Sequence, residues 1–197
     1  MSKFQMTKRG KLIFDRKIGG GYFRDCYAVK GHDDICIKII NPRPGLLRAL
    51  QLKYFRKKIN LEEYETYKGL PEEIKKFFNP VHEASENFVV TSMPLDYDGT
   101  PSLSLKKTNS VENKKFWDDV TYLFHFLIDN QIWFFDVFNG NNMFVLKQSK
   151  DDWVPIIIDY KQLGWKAFPW QVQLLLNSQK RKKLKRQYGR LVSKYKR

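Results

Sequence analysis

The apolar residues of this chain arrive in short runs, about four to seven residues at the longest, as in Val154-Pro155-Ile156-Ile157-Ile158. Clusters of glycine, aspartate and asparagine separate them, for example Gly31-His32-Asp33-Asp34 and Asp96-Tyr97-Asp98-Gly99. Runs of this length suit strands and amphipathic helices, because a membrane-crossing helix needs roughly 20 consecutive apolar residues. The length of 197 residues allows one good core or two small lobes, but not two full domains. Hydrophobic residues at 42% and aromatics at 15% are enough to fill such a core, which sets disorder aside. The basic start, with Lys3, Lys8 and Arg9, is followed by no apolar segment, so no secretory signal is expected. Cys26 and Cys36 cannot make a disulfide framework, and no Cys/His cluster suggests zinc. These features predict a cytoplasmic globular protein.

The spacing predicts strands over 12–14, 24–30 and 35–40, with a hairpin at Gly31-His32-Asp33-Asp34. Asn41-Pro42-Arg43-Pro44-Gly45 then breaks the pattern. Helical spacing follows in Leu46, Leu47, Leu50 and Tyr54, and again in Leu61, Tyr64, Tyr67 and Leu70. A strand is predicted over 88–91 and a turn over 96–99. Residues 111–130 carry the clearest amphipathic helix, with Phe116, Val120, Leu123, Phe124 and Leu127 on its core face. Short strands over 132–135, 143–146 and 154–158 come next. A final helix over about 170–195 sets Val172, Leu174, Leu175, Leu184, Tyr188, Leu191, Val192 and Tyr195 against lysines and arginines. The fold class is α+β, with a sheet-rich front over about 1–93 and a helical back over about 94–197, in a single domain.

The formal charge of +15 is not evenly spread. Ten basic residues and no acid lie between 180 and 197, and six basic residues and no acid lie between 43 and 58. Outside these two segments the chain sums to −1. A near-neutral body with two basic attachments is not a uniformly basic nucleic-acid binder, and no helix-turn-helix, zinc-finger or aromatic RNA-binding signature accompanies the charge. A solvated amphipathic helix explains such a segment, and so does attraction to anionic lipid headgroups or an acidic partner, which would place the chain peripherally at the inner membrane face.

Four features carry chemistry. Gly19-Gly20-Gly21-Tyr22-Phe23 lies between strands, where glycine lets backbone N–H groups approach a phosphate. Lys38 stands among Ile35, Cys36, Ile37, Ile39 and Ile40, and needs either an anionic partner or an exit to solvent from an edge strand. Asp136 follows an apolar run and is trailed by Asn139, Asn141 and Asn142. Asp159 ends the run Ile156-Ile157-Ile158, where it can cap a turn or hold a divalent metal through hard oxygen atoms.

Taken in order, a glycine loop, a strand lysine, a helix glutamate, an Asp-x4-Asn and a strand-end aspartate resemble the eukaryotic-type protein-kinase fold in a minimal, two-lobe form. The segments 19–28 (GGGYFRDCYA), 36–40 (CIKII), 95–105 (LDYDGTPSLSL) and 156–160 (IIIDY) are more specific: together they resemble the PhoP regulatory network protein YrbL family, short bacterial kinase-like proteins. The likeness runs from about residue 18 to past 164, with a looser similarity of 174–191 to lipopolysaccharide-core sugar kinases. It implies ATP and Mg²⁺ as cofactors. Gly19, Gly20 and Gly21 would cover the phosphates, and Cys26 and Cys36 would line the adenine pocket. Backbone around Met93 would meet the adenine. Lys38 would hold the α- and β-phosphates, oriented by Glu63, with Glu62 and Glu65 as alternatives. Asp136 would act on the acceptor hydroxyl, and Asp159 with Asn141 or Asn142 would bind the metal.

The chain departs from the kinase pattern at Arg24, where a third loop glycine is usual, at Phe134, where a catalytic-loop histidine is usual, and at Lys161, after Asp159-Tyr160. It has no Ala-Pro-Glu element, and the stretch after Asp159 is short for a peptide-binding platform. The expectation is a phosphotransferase acting on a hydroxyl of a small, sugar or lipid-linked acceptor. A nucleotide-binding regulator without turnover, and a polyanion binder that needs no nucleotide, are the competing classes.

Overall fold

The computed structural model describes residues 3–21, 23–41, 45, 58–162 and 176–197. The chain forms two compact units, Met1–Gly69 with Pro80–Met93, and Leu70–Asn79 with Pro94–Arg197.

The first unit is an antiparallel sheet of six strands in the order β1-β2-β3-β4-β6-β5. Its strands are β1 (Phe4–Thr7), β2 (Gly10–Gly20), β3 (Arg24–Val29), β4 (His32–Ile40), β5 (Val81–Ala84) and β6 (Phe88–Ser92). The hairpin between β3 and β4 is tighter than the sequence suggests. Val29 pairs with His32 across Lys30-Gly31, and His32 to Asp34 belong to β4. Gly31 has φ +79°, a left-handed backbone that glycine takes without steric cost. Side chains alternate across the sheet. One face gathers Leu12, Val29, Ile35, Ile37, Phe88 and Val90 into a core, joined by Phe14, Tyr27 and Ile39. On the other, the register sets Cys26 opposite Lys38, Ala28 opposite Cys36, Lys38 opposite Val89 and Cys36 opposite Thr91. Because β4 lies between β3 and β6, Lys38 is on an interior strand, and the edge-strand exit to solvent does not apply to it.

Helix α1 (Ile59–Lys68) belongs to the same unit, and its buried residues are Ile59, Asn60 and Glu63. Of the apolar stripe expected at Leu61, Tyr64, Tyr67 and Leu70, the three residues on the helix are half-buried and so are not its buried side, while Leu70, just past its end, is buried. Ion pairing at Glu63 sets the facing of this helix. The helical spacing at Leu46, Leu47, Leu50 and Tyr54 lies outside the described residues, as does the basic segment 43–58 apart from Gly45 and Lys58.

The second unit contains the short helices α2 (Glu72–Lys75) and α3 (Leu105–Thr108), and the long helix α4 (Lys114–Asp129). Asn113 caps α4, its side-chain oxygen accepting from the Phe116 N–H at 2.9 Å. The expected core face of α4 is buried and extends to Trp117 and Ile128. A three-stranded sheet, ordered β10-β9-β7, is built from β7 (Leu103–Ser104), β9 (Met143–Lys147) and β10 (Trp153–Ile157). A two-stranded ribbon pairs β8 (Phe134–Phe135) with β11 (Lys161–Gln162). The basic helix α5 spans Asn177–Tyr195 and buries Leu184, Leu191 and Tyr195. Val172, Leu174 and Leu175, expected on its apolar side, lie outside the described residues. Tyr188 of α5 stacks on Phe124 of α4 with ring centroids 4.1 Å apart, so the apolar side of the charged helix is packed against this unit. Among the described residues no helix is long and apolar enough to cross a membrane.

Candidate functional site

In the first unit the candidate residues converge on the buried carboxylate of Glu63. Lys38 Nζ lies 2.7 Å from Glu63 Oε1, and Arg24 Nη1 lies 2.5 Å from Glu63 Oε2. Arg24 also donates to Asn60 Oδ1 at 3.2 Å, and Asn60 donates to the Glu86 carbonyl at 2.9 Å. Lys38, Arg24 and Glu63 are 8%, 6% and 1% exposed, so all three charges have left bulk water. Such groups persist in a fold only when paired, and the Glu63 carboxylate pairs with both cations. Glu63 is thus the helix glutamate that meets Lys38. Glu62 is half-buried in the first turn of α1 and Glu65 is exposed.

Arg24 and Asn60 are site residues that the kinase-like pattern did not single out. Arg24 stood only as a departure from the glycine pattern. The local signal for it was an arginine opening the strand that runs on through Cys26, Tyr27, Ala28 and Val29, which raises the same question of a partner as Lys38 does.

The glycine segment is more ordered than a loop. Gly19 pairs with Cys26 and Gly20 with Asp25 inside the β2–β3 ladder, leaving Gly21 at the turn, where its N–H donates to the Arg24 carbonyl at 2.7 Å. A Cβ at Gly20 would stand 3.1 Å from Asp25 Oδ1 and from Lys17 Cε, which are joined by an ion pair of 2.7 Å. Cys26 and Cys36 share the face that carries Lys38, and each thiol shifts the titration of the other. Cys36 also lies 3.2 Å from Thr91 Oγ1. The neighbouring Cys26 pulls the Cys36 thiol down to about 7, and Cys36 together with burial pushes Cys26 up. Met93 donates its N–H to the Asp34 carbonyl at 2.8 Å, so its own carbonyl is the backbone group it has to present.

In the second unit the other candidates meet at one end of the β9–β10 hairpin. Met143 pairs with Ile157, and the Ile158 N–H donates to the Asn142 carbonyl at 2.8 Å, which brings Asn142 beside the residue preceding Asp159. Asn142 Nδ2 donates to the Asp136 carbonyl at 3.3 Å. Asn141 is exposed and its N–H is held by Asn139 Oδ1 at 2.9 Å. The register therefore joins Asn142, rather than Asn141, to both aspartate segments. Asp136 and Asp159 have φ of +49° and +53°, in the left-handed region that non-glycine residues seldom occupy.

Phe134, two residues before Asp136, belongs to the core. It is fully buried, 5.2 Å between ring centroids from Phe78, which meets Tyr160 edge-on at 5.0 Å. Tyr160 donates its hydroxyl to the Asn79 carbonyl at 2.9 Å. One aromatic cluster thus anchors the chain just before Asp136 and just after Asp159. Two further residues come from α5: Gln187 Nε2 donates to Asp136 Oδ1 at 2.7 Å, and Lys183 Nζ lies 3.9 Å from the same oxygen. Nothing in the sequence pattern linked them to Asp136, because they sit inside the charge run of α5.

A hard divalent cation suits the oxygen donors of Asp159 and Asn142, since the amide nitrogen of Asn142 is committed to the Asp136 carbonyl and its oxygen remains as the donor. The described residues hold no cluster of three or more His, Cys, Asp and Glu.

Solved structures of a kinase superpose on the chain. The Rio2 kinase from Chaetomium thermophilum superposes with a TM-score of 0.57 at 15% identity, over 92% of this chain and 57% of that one. The Rio2 kinase-ADP/Mg²⁺-phosphoaspartate complex from the same organism gives 0.56 at 16% identity, over 90% and 55%. The chain thus has a kinase-like fold and spans a little over half the length of these kinases. No curated protein matches it. The family model for the PhoP regulatory network protein YrbL matches residues 11–196, nearly the whole chain. The glycine, cysteine and aspartate segments described above all fall inside that match, and the chain belongs to the YrbL family.

Proposed function

We propose that the chain is an ATP- and Mg²⁺-dependent phosphotransferase acting on a hydroxyl of a small, sugar or lipid-linked acceptor. The observation that carries this reading is the 2.7 Å ion pair between Lys38 and Glu63 on an interior strand. A buried pair of this kind contributes little net stability compared with an apolar one, so its presence points to use of the lysine charge. In this reading Lys38 holds nucleotide phosphates in the direction set by Glu63. Asp159 and Asn142 hold the metal, which when bound neutralises phosphate charge. Asp136 orients the acceptor hydroxyl and takes its proton, and most of the catalysis is positioning. The solved kinase complex with ADP, Mg²⁺ and phosphoaspartate supports the choice of cofactors. The basic α5 beside Asp136 favours an acceptor carrying negative charge.

A second reading, nucleotide binding without turnover, is favoured by Lys161, which stands in the metal triplet where glycine is usual. Thermal unfolding with ATP and Mg²⁺ tests the first requirement of both. A ligand at a hundred times its dissociation constant stabilises the chain by about 2.7 kcal/mol. The shift is expected in the wild type and absent in Lys38→Met and Asp159→Ala. No shift in the wild type overturns both nucleotide readings. A shift with no ATP consumption across pooled sugars and glycolipids selects the regulator.

A further inference from the structure

Helix α5 is fastened to the Asp136 loop at three points. Gln187 donates to the Asp136 carboxylate at 2.7 Å. Tyr188 meets Phe138 edge-on at 5.6 Å between ring centroids. The Tyr195 ring lies so close to Gly140 that a Cβ there would stand 2.7 Å from the Tyr195 hydroxyl. Lys183 and Gln187 are four residues apart, so they share a face of the helix, and both address Asp136 Oδ1. The residues that follow Asp136 carry no charge: Val137 and Phe138 are buried and apolar. Lys183 is thus a cation that the fold brings to the proposed base. Its side chain is 14% exposed, while most of its charged neighbours on the helix, including Arg181, Lys182, Lys185 and Arg186, are exposed.

We propose that Lys183 is a catalytic residue that contacts the transferring γ-phosphoryl group, with Gln187 holding the Asp136 carboxylate for the acceptor. This rests on the phosphotransferase reading and extends it to a helix outside the glycine, lysine and aspartate motifs. In the transfer the acceptor oxygen attacks the γ-phosphorus, the bond to the β,γ-bridging oxygen breaks, ADP leaves, and the hydroxyl proton goes to Asp136. The attacking oxygen is at that moment in hydrogen-bond contact with Asp136 and about 3 Å from phosphorus. A cation 3.9 Å from the same carboxylate is therefore within reach of the equatorial phosphoryl oxygens, where charge spreads. Burial also lowers the pKa of Lys183 from its ordinary value, with Asp136 opposing the change. An ammonium held partly out of water is poised for a dense anion rather than for solvent.

Calorimetric titration of the whole chain with Mg²⁺ and either ADP or β,γ-imido-ATP tests the contact without needing the acceptor. The wild type is expected to bind the imido analogue more tightly than ADP. Lys183→Met is expected to keep its ADP affinity and melting temperature and to lose roughly tenfold or more of the analogue's affinity, the scale of one charge-assisted contact. Lys182→Met, on the exposed side, is expected to change neither. Equal losses for both nucleotides, no loss for either, or a wild type that binds the two alike would overturn the role given to Lys183. A wild type that binds neither nucleotide overturns the phosphotransferase reading beneath it.

Discussion

Glu63 balances two buried cations, and that arithmetic separates stability from function at single residues. Replacing Glu63 by Gln removes the negative charge that Lys38 and Arg24 both face, a loss of about 3–5 kcal/mol by the usual cost of breaking a buried pair. Lys38→Met leaves Glu63 with Arg24 at 2.5 Å and with the carboxylate still answered. The expected order of urea midpoints is therefore wild type, then Lys38→Met close behind, then Glu63→Gln well below. Equal destabilisation by the two changes would mean that Arg24 does not support Glu63. Lys38 itself was legible because an ammonium among isoleucines has so few physical solutions. Arg24 was not, because its partners Asn60 and Glu63 lie 36 and 39 positions along the chain, and no local spacing records a contact of that range.

Between elements, the contact of α5 with the Asp136 loop has a steric signature. Gly140 stands where a Cβ would meet three atoms of the Tyr195 ring at 2.7–2.9 Å. Gly140→Ala is expected to cost about 1–3 kcal/mol, as overpacking does, and to weaken nucleotide binding through the neighbouring Asn141 and Asn142. Tyr195→Phe removes the nearest of the three atoms, the hydroxyl oxygen, so the double variant should recover part of the loss in both melting temperature and affinity. No recovery would place the clash elsewhere. The amphipathic stripe of α5 was readable from Leu184, Tyr188, Leu191 and Tyr195 because it repeats with the helix. What it packs against was not, since pattern reports a face and never its partner. In α1 the pattern misled: the periodic Leu61, Tyr64 and Tyr67 are half-buried, while ion pairing turns Glu63 inward. The short strands β1, β5 and β7 went unnoticed because two to four residues show too little alternation to stand out.

For the molecule as a whole, the charge of +15 resolves into a body of −1 and two basic segments, and α5 shows what such a segment can be. Leu184, Leu191 and Tyr195 are buried, Lys183 faces Asp136, and Arg181, Lys182, Lys185, Arg186, Arg190 and Lys194 are exposed. The packed side accounts for the stability of the helix without the exposed cations, which are therefore available to an anionic surface. Each cation near anionic headgroups contributes about 1 kcal/mol, and the attraction falls off within a Debye length of roughly 10 Å at 0.1 M salt. Sedimentation with phosphatidylglycerol-containing vesicles is expected at low salt, to weaken as salt rises, and to be absent with phosphatidylcholine alone. Changing Arg181, Lys182, Lys185 and Arg186 together to Gln should remove most of it while leaving the melting temperature and the nucleotide affinity unchanged. Retained binding in that variant would shift the attraction to the basic segment at 43–58. Equal binding to neutral vesicles would instead mean that apolar contact drives it. Salt-dependent binding to nucleic acid that exceeds binding to the vesicles, with no response to nucleotide, would favour the polyanion-binding class over both nucleotide readings.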